Sequence, residues 1–308
     1  MTDNYERDSR LVKRVSLTGA AINLTLAVVK ATGGFLFHSH ALLADAVDST
    51  SDLFTDAVTI AAIRFSRRPV DHNHPYGHGR FESLASLVVA LVLFIAAVIL
   101  VRNAVLHLMG EPGPAIGWPA ALIAGVSVVT KEWLFRWTRA AAQKTHSPAL
   151  LSNAYHHRSD AFSSITVVIG VTGAVLIPGA WFLDSVASLA VSGFIVSMGI
   201  RIAVRAVHEL TDMEQNPELV AEIEVLALTV SEVQDAHRIR TRRYGSLIYV
   251  DLDIEVSPEM TVQQGHDVAH RVKDLILERY DYVADALIHL EPTGSRQGGE
   301  GPVRGAAD

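Results

Sequence analysis

The stretch LLADAVDSTSDLFTD, Leu42 to Asp56, sets four carboxylates into a segment otherwise apolar enough to cross a membrane. At 100° per residue, Asp45, Asp48, Asp52 and Asp56 share an arc of roughly 80° on one helix face. Burying one such group in a bilayer costs several kcal/mol, so a stripe of four demands a cation, a partner helix or water opposite. The stretch reads as part of an intramembrane ion site.

Outward from this helix, the apolar residues, 49% of the 308, come in long blocks rather than evenly spread. That pattern predicts an α-helical polytopic membrane domain with a soluble appendage. Six blocks allow the ~20 residues that a bilayer core needs: 15–37, 41–64, 81–108, 116–138, 149–177 and 181–207. The fourth is the weakest, because its clean run from Trp118 to Thr130 meets Lys131 and Glu132. Basic residues gather before the first block (Arg7, Arg10, Lys13, Arg14), between the second and third (Arg64, Arg67, Arg68, Arg80) and after the fourth (Arg136, Arg139, Lys144). The positive-inside rule then places both termini in the cytoplasm. Lys30 and Arg102, near outer helix ends, are expected to snorkel. The N-terminus shows no convincing cleavage site and reads as a retained first helix.

From about Glu209 charges become frequent and the pattern shortens to soluble-domain length. Asn216-Pro217 opens a helix to about Thr229, Gln234 to Tyr244 and Ser246 to Val256 read as strands about a Tyr244-Gly245 turn, a helix covers Thr261 to Tyr280, and Tyr282 to Leu290 is a last strand. The division is 1–14 cytoplasmic segment, 15–208 six-helix transport domain, 209–291 small cytoplasmic α+β domain of αββαβ order, and 292–308 a Gly-rich tail expected to be disordered. In the second strand Ile248, Val250, Leu252, Ile254 and Val256 take one face and Asp251, Asp253 and Glu255 the other. Val262, Ala269, Val272, Leu275 and Ile276 form the apolar side of the second helix.

A second polar intrusion, AYHHRSDAFSS, puts His156 and Asp160 four residues apart on one face of the fifth block. The second and fifth blocks run in opposite directions, so both polar pairs lie roughly 12 to 18 Å deep and meet near the midplane. Asp48, Asp52, His156 and Asp160 then supply four N/O ligands, suited to tetrahedral Zn²⁺ and acceptable to Fe²⁺ or other divalent first-row metals. Asp45 and Asp56, a turn or more away, are assigned to a vestibule or interface. The loop RPVDHNHPYGHGRFES offers Asp71, His74 and His78 at ligand spacing, with His72 as an extra candidate and Pro75, Tyr76 and Gly77 shaping the turn.

Asp48 and Asp52 as DxxxD, His156 and Asp160 as HxxxD, and this HPYGHG-containing loop together resemble the cation diffusion facilitators, which are metal/proton antiporters that include zinc and ferrous iron exporters. The resemblance spans about residues 10–291. It implies a homodimer in membrane lipid that exchanges divalent metal ions for protons, with a metallochaperone-like cytoplasmic domain that pairs across the dimer. Asp48, Asp52, His156 and Asp160 become the transport site, Asp71, His74 and His78 a second metal site, and His237, Asp251, His266, His289 and Glu291 a cytoplasmic one. Asp251 and Glu291 stand where several zinc members carry other ligands. Arg80 and Asp212 fall at the positions of a charge interlock near the cytoplasmic membrane surface. Zn²⁺ or Fe²⁺ would be both transported and regulatory ion, with no organic cofactor, in a bacterial inner membrane.

Composition narrows the chemistry further. A formal net charge of −7 gives no basic surface for nucleic acid. With no cysteine and 14 histidines, any metal falls to imidazole and carboxylate. Loading such a site needs neutral His156 and ionised carboxylates, so metal binding releases protons, which favours antiport. Rivals are an exporter preferring Mn²⁺, Co²⁺ or Cd²⁺, an intramembrane metalloenzyme, and a metal sensor. Catalytic zinc usually keeps three protein ligands and an open position, whereas four ligands without a separate acid or base fit transport better than an enzyme.

Overall fold

The computed structural model describes residues 2–66, 68–110, 114–145, 148–213, 216–245 and 247–294. Of the tail expected to be disordered, 292–308, residues 295–308 lie outside the described residues, as does Ser246 of the second strand, while Pro292 is the last residue of a strand. Contacts divide the chain into two units, Met1–Ile60 with Ser86–Val204, and Ala61–Ala85 with Arg205–Asp308.

The first unit is built on α1 (Thr2–Leu36), α2 (His40–Ser66), α3 (Arg80–Met109), α4 (Trp118–Thr145), α5 (Pro148–Leu176) and α6 (Phe182–Leu210), each between 27 and 35 residues long. Among the described residues four segments are long and apolar enough to cross a membrane: Lys13–Leu36, Arg80–Met109, Asn153–Leu176 and Phe182–Leu210. Helices α2 and α4 fall short on composition because of charges carried within them, and these are the helices that bring Asp45, Asp48, Asp52 and Lys131. Outward-facing Leu24, Phe35, Val98 and Ile169 are exposed, as a lipid-facing surface requires.

Small residues let these helices approach closely, which substitutes for the weak hydrophobic drive between helices in lipid. A methyl group on Gly170 of α5 would stand 2.3 Å from Cβ of Ala187 on α6. Leu42, Leu93, Val167, Val171, Val191 and Ile195 fill the space between α2, α3, α5 and α6. The N-terminus of α2 is fixed by buried Asp184 of α6, which accepts from the Ser39 hydroxyl at 2.6 Å and from the His40 and Ala41 amides at 2.6 and 3.3 Å. Those amides are among the orphan donors of a helix start, and a carboxylate there is doubly suitable.

The second unit contains α7 (Pro217–Ala227), β1 (Asp235–Tyr244), β2 (Leu247–Val256), α8 (Val262–Arg279) and β3 (Val283–Pro292), the αββαβ order read from the sequence. The sheet order is β1-β2-β3, with β1 and β2 antiparallel and β2 and β3 parallel. Asn216 caps α7 by accepting from the Leu219 amide at 3.2 Å, with Pro217 in the first turn, and Thr261 with Gln264 forms a capping box on α8. The alternating face of β2 is buried against Leu219, Ile223, Val268, Val272 and Ile276. Val262, expected on the apolar side of α8, is 91% exposed. It stands at the first turn, ahead of the stripe that Val268 begins.

Candidate functional site

Three of the four carboxylate and imidazole groups predicted in the helices converge. Nε2 of His156 lies 3.6 Å from Oδ2 of Asp52, and Nδ1 lies 3.8 Å from Oδ1 of Asp160. One ligand atom from each of Asp52, His156 and Asp160 falls within 4.8 Å of the others. Asp48 stands outside this trio and accepts from the Ser163 hydroxyl at 3.2 Å. All four line a cavity of about 220 Å³ between α2, α5 and α6, to which α6 adds Ser197 and Arg201. A half-open chamber with three carboxylates and an imidazole can bind a hard or borderline divalent cation and exchange it with water.

Of the two expected places for Asp45, a vestibule or an interface, the structure gives a helix interface. Asp45 is 0% exposed and ion-paired at 2.8 Å with Lys30, also 0% exposed, and it accepts from the Ser164 hydroxyl at 2.9 Å. Lys30 therefore does not snorkel, because a buried carboxylate one helix away holds its ammonium inside. Lys131, read only as the weak end of the fourth block, is buried too, 3.5 Å from Oδ2 of Asp160. Ser49 accepts from both lysines, at 3.0 Å from Lys30 and 3.4 Å from Lys131. A lone lysine inside an apolar block is itself a signal of a buried partner.

In the loop, Asp71 faces both histidines, with Nδ1 of His74 at 3.0 Å and Nε2 of His78 at 3.3 Å. The three offer ligand atoms within 4.8 Å of one another, whereas His72 is exposed and apart. Asp71 also closes its own turn, accepting from the Asn73 and His74 amides at 2.9 and 2.7 Å. The hydrogen bonds from the His74 ring and these amides hold its carboxyl below the ordinary aspartate range. Gly77 at φ 87° permits the turn, and His78 is buried beside Phe65 and Phe81.

The five predicted cytoplasmic residues do not form one cluster within the chain. A bulge in β1 between His237 and Arg240, with Arg238 at φ 48°, re-aims the strand so that His237 meets carboxylates from β2 and β3. Its ring nitrogens lie 3.3 Å from Asp235 and 3.3 Å from Glu291, at angles that make no hydrogen bond. Asp253 and Glu291 share a potential ligand group with His237, and Asp235 and Glu255 form another. Asp235, Asp253 and Glu255 were absent from the expected ligands, though the alternation of acids along β2 pointed to the last two. Asp251 instead pairs with Arg242 at 3.2 Å, His266 packs 4.4 Å from the His270 ring, and His289 stands exposed, 3.9 Å from Glu291. Arg80 and Asp212 do meet, at 2.7 Å, with the Arg80 guanidinium 4.7 Å over the Tyr244 ring.

Family models described as the cation efflux transmembrane domain and the cation efflux protein cytoplasmic domain match residues 16–211 and 215–293. The chain belongs to the cation diffusion facilitator family. The protein is similar to metal tolerance protein 2 of Oryza sativa subsp. japonica, 34% identical over 90% of this chain and 78% of that one. It is also similar to the manganese efflux system protein MneP of Bacillus subtilis (strain 168), 29% identical over 92% of this chain and 97% of that one. The solved metal-bound C-terminal domain of the CzcD transporter from Thermotoga maritima aligns in full with 28% of the chain, at 29% identity and a TM-score of 0.26. Cation diffusion facilitators are transporters, not enzymes, so the protein is a membrane-integral divalent metal cation efflux protein and the metalloenzyme reading falls away.

Proposed function

We propose that this cation diffusion facilitator exports Zn²⁺ or Fe²⁺ from the cytoplasm in exchange for protons. It does so as a homodimer in a bacterial inner membrane, with α1 to α6 all crossing the bilayer and both termini cytoplasmic. The observation that carries the reading is the convergence of Asp52, His156 and Asp160 within 4.8 Å in a chamber whose wall includes Asp48. These four residues hold the transported ion. Three carboxylates with one imidazole match the N/O preference of Zn²⁺ and Fe²⁺.

The ligands act in neutral His156 and ionised carboxylate form, so loading expels protons and reprotonation from the other side helps release the ion. Rocking of helices around a fixed site gives alternating access. Residues 15–208 form the transport domain and 209–291 the regulatory and dimerisation domain. Asp71, His74 and His78 hold a second ion, and the cytoplasmic site centres on His237 and Glu291, with Asp251, His266 and His289 completing it only through the dimer. Metal bound there biases the access equilibrium, and Arg80 with Asp212 interlocks the cytoplasmic ends of α3 and α6.

A second reading, export of Mn²⁺, draws support from the similarity to a protein named as a manganese efflux system. Uptake into proteoliposomes under an imposed pH gradient, across Zn²⁺, Fe²⁺, Mn²⁺, Co²⁺ and Cd²⁺, decides between them. The expected result is Zn²⁺ or Fe²⁺ flux that collapses with the gradient and is abolished in Asp52→Ala and His156→Ala. Normal flux in both variants would remove the site, and flux confined to Mn²⁺ would favour the second reading.

A further inference from the structure

Two lysines lie inside the helix bundle, and metal transport by the four ligands uses neither. Lys30 is neutralised by Asp45 at 2.8 Å. Lys131 of α4, 1% exposed, is different, because its partner is one of the proposed ligands. Its ammonium stands 3.5 Å from Oδ2 of Asp160, while Oδ1 of the same carboxylate faces His156 at 3.8 Å. The two oxygens serve different partners, one the chamber and the other a tethered cation. Ser49 ties Lys131 to the Lys30–Asp45 pair, so α1 and α2 fix where the ammonium sits.

We propose that Lys131 sets the metal preference of the transport site by restricting Asp160 to one oxygen toward the ion. The inference rests on the reading of Asp48, Asp52, His156 and Asp160 as that site. A carboxylate with both oxygens free can bind in bidentate fashion, which helps ions that favour six or more oxygen ligands to fill their shells. With Oδ2 engaged, Asp160 contributes a single atom. Four one-atom ligands, one of them nitrogen, suit four-coordinate Zn²⁺ and leave Mn²⁺ short of oxygens.

Charge bears on every divalent ion alike, and so on affinity rather than preference. Three ionised carboxylates and a divalent ion leave one negative charge, and the Lys131 ammonium cancels it. A neutral loaded site is the least costly to keep away from water. Through its hold on Oδ2, Lys131 is a specificity-determining residue that never touches the ion.

The test measures Zn²⁺ and Mn²⁺ affinity by equilibrium dialysis on the full-length protein in detergent, in a His74→Ala, His237→Ala background that silences the loop and cytoplasmic sites, for that background alone and with Lys131→Met, Lys131→Gln or Asp52→Ala added. Methionine keeps the length of the side chain and removes its donor, so the Zn²⁺/Mn²⁺ affinity ratio is expected to fall by about tenfold. Glutamine keeps an N–H for Oδ2 without the charge, so its ratio should fall less, by roughly threefold. An unchanged ratio in the methionine variant, or an equal loss for both metals, overturns the proposal while leaving the site itself intact. Should that variant fail to fold, the glutamine variant alone decides by the same criterion. Binding that survives Asp52→Ala would instead overturn the transport-site reading, and this inference with it.

Discussion

Nζ of Lys30 and Oδ2 of Asp45 lie 2.8 Å apart, with neither side chain reaching solvent. An isolated charge left in such a place costs far more than the pair does together. Removing one partner of a buried pair is destabilising by ~3–5 kcal/mol, whereas replacing both by apolar groups of similar size is often neutral. Lys30→Met is therefore expected to lower the melting temperature of the purified protein sharply, and Lys30→Met with Asp45→Leu to recover most of the loss. A double variant no more stable than the single one would refute the pairing.

Arg80 and Asp212 form a different kind of contact. Nη2 of Arg80 donates to both carboxylate oxygens, at 2.7 and 2.8 Å, but each side chain is more than a third exposed. Exposed pairs are worth ~0–1 kcal/mol. A double-mutant cycle of Arg80→Ala and Asp212→Ala in unfolding experiments should give a coupling within that range, reduced further by high salt. A larger, salt-insensitive coupling would mean that the pair becomes buried in the assembled protein.

Gly79 offers no room for a side chain, since a Cβ there would lie 2.7 Å from the carbonyl oxygen of Tyr244. A backbone neighbour cannot swing aside as a side chain does. Gly79→Ala should displace the β1–β2 turn at a cost of ~1–3 kcal/mol. Hydrogen exchange at residues 243 to 245 would be faster than in wild type, and unaltered exchange would show that the turn is not held there.

Acid sensitivity should centre partly on Glu232. Arg271 donates to it at 2.7 Å, and this bond, assisted by the Ser231 hydroxyl, holds its carboxyl down at about 2. Because the folded-state value is depressed, the stabilisation is complete above the ordinary value near 4.5 and is lost as pH falls from there towards 2. At low salt, Arg271→Ala should flatten the fall in melting temperature across that window. Identical acid limbs in both proteins would exclude the contribution, which exposure and salt keep small.

The long helices and the αββαβ order could be read from residues because block length, caps and alternation are local. Asn216-Pro217, the Thr261 capping box and the apolar face of β2 each announce themselves within a few positions. The site was legible to the same extent, since DxxxD and HxxxD spacings place side chains on one helix face. What spacing cannot supply is the partner on another helix. Asp45 shares the arc of Asp48 and Asp52, and only tertiary packing gives it to Lys30 while its neighbours face the chamber. Lys131 looked like a helix end for the same reason, its counter-ion Asp160 being on α5. On the cytoplasmic sheet, the β1 bulge decides which acids meet His237, and nothing in the composition of β1 marks where an extra residue enters the ladder.

The contact at Gly170 bears on how such a protein can move. With no atom to spare between Gly170 and Ala187, α5 and α6 mesh like two gear teeth and cannot slide past each other without a collision. A movement of His156 and Asp160 on α5 would have to respect this contact with α6 and, more extensively, the packing of α5 on α4. In the alternating access proposed above, the seam across which Asp52 of α2 faces His156 of α5 is where the chamber would part, pivoting on that meshed point.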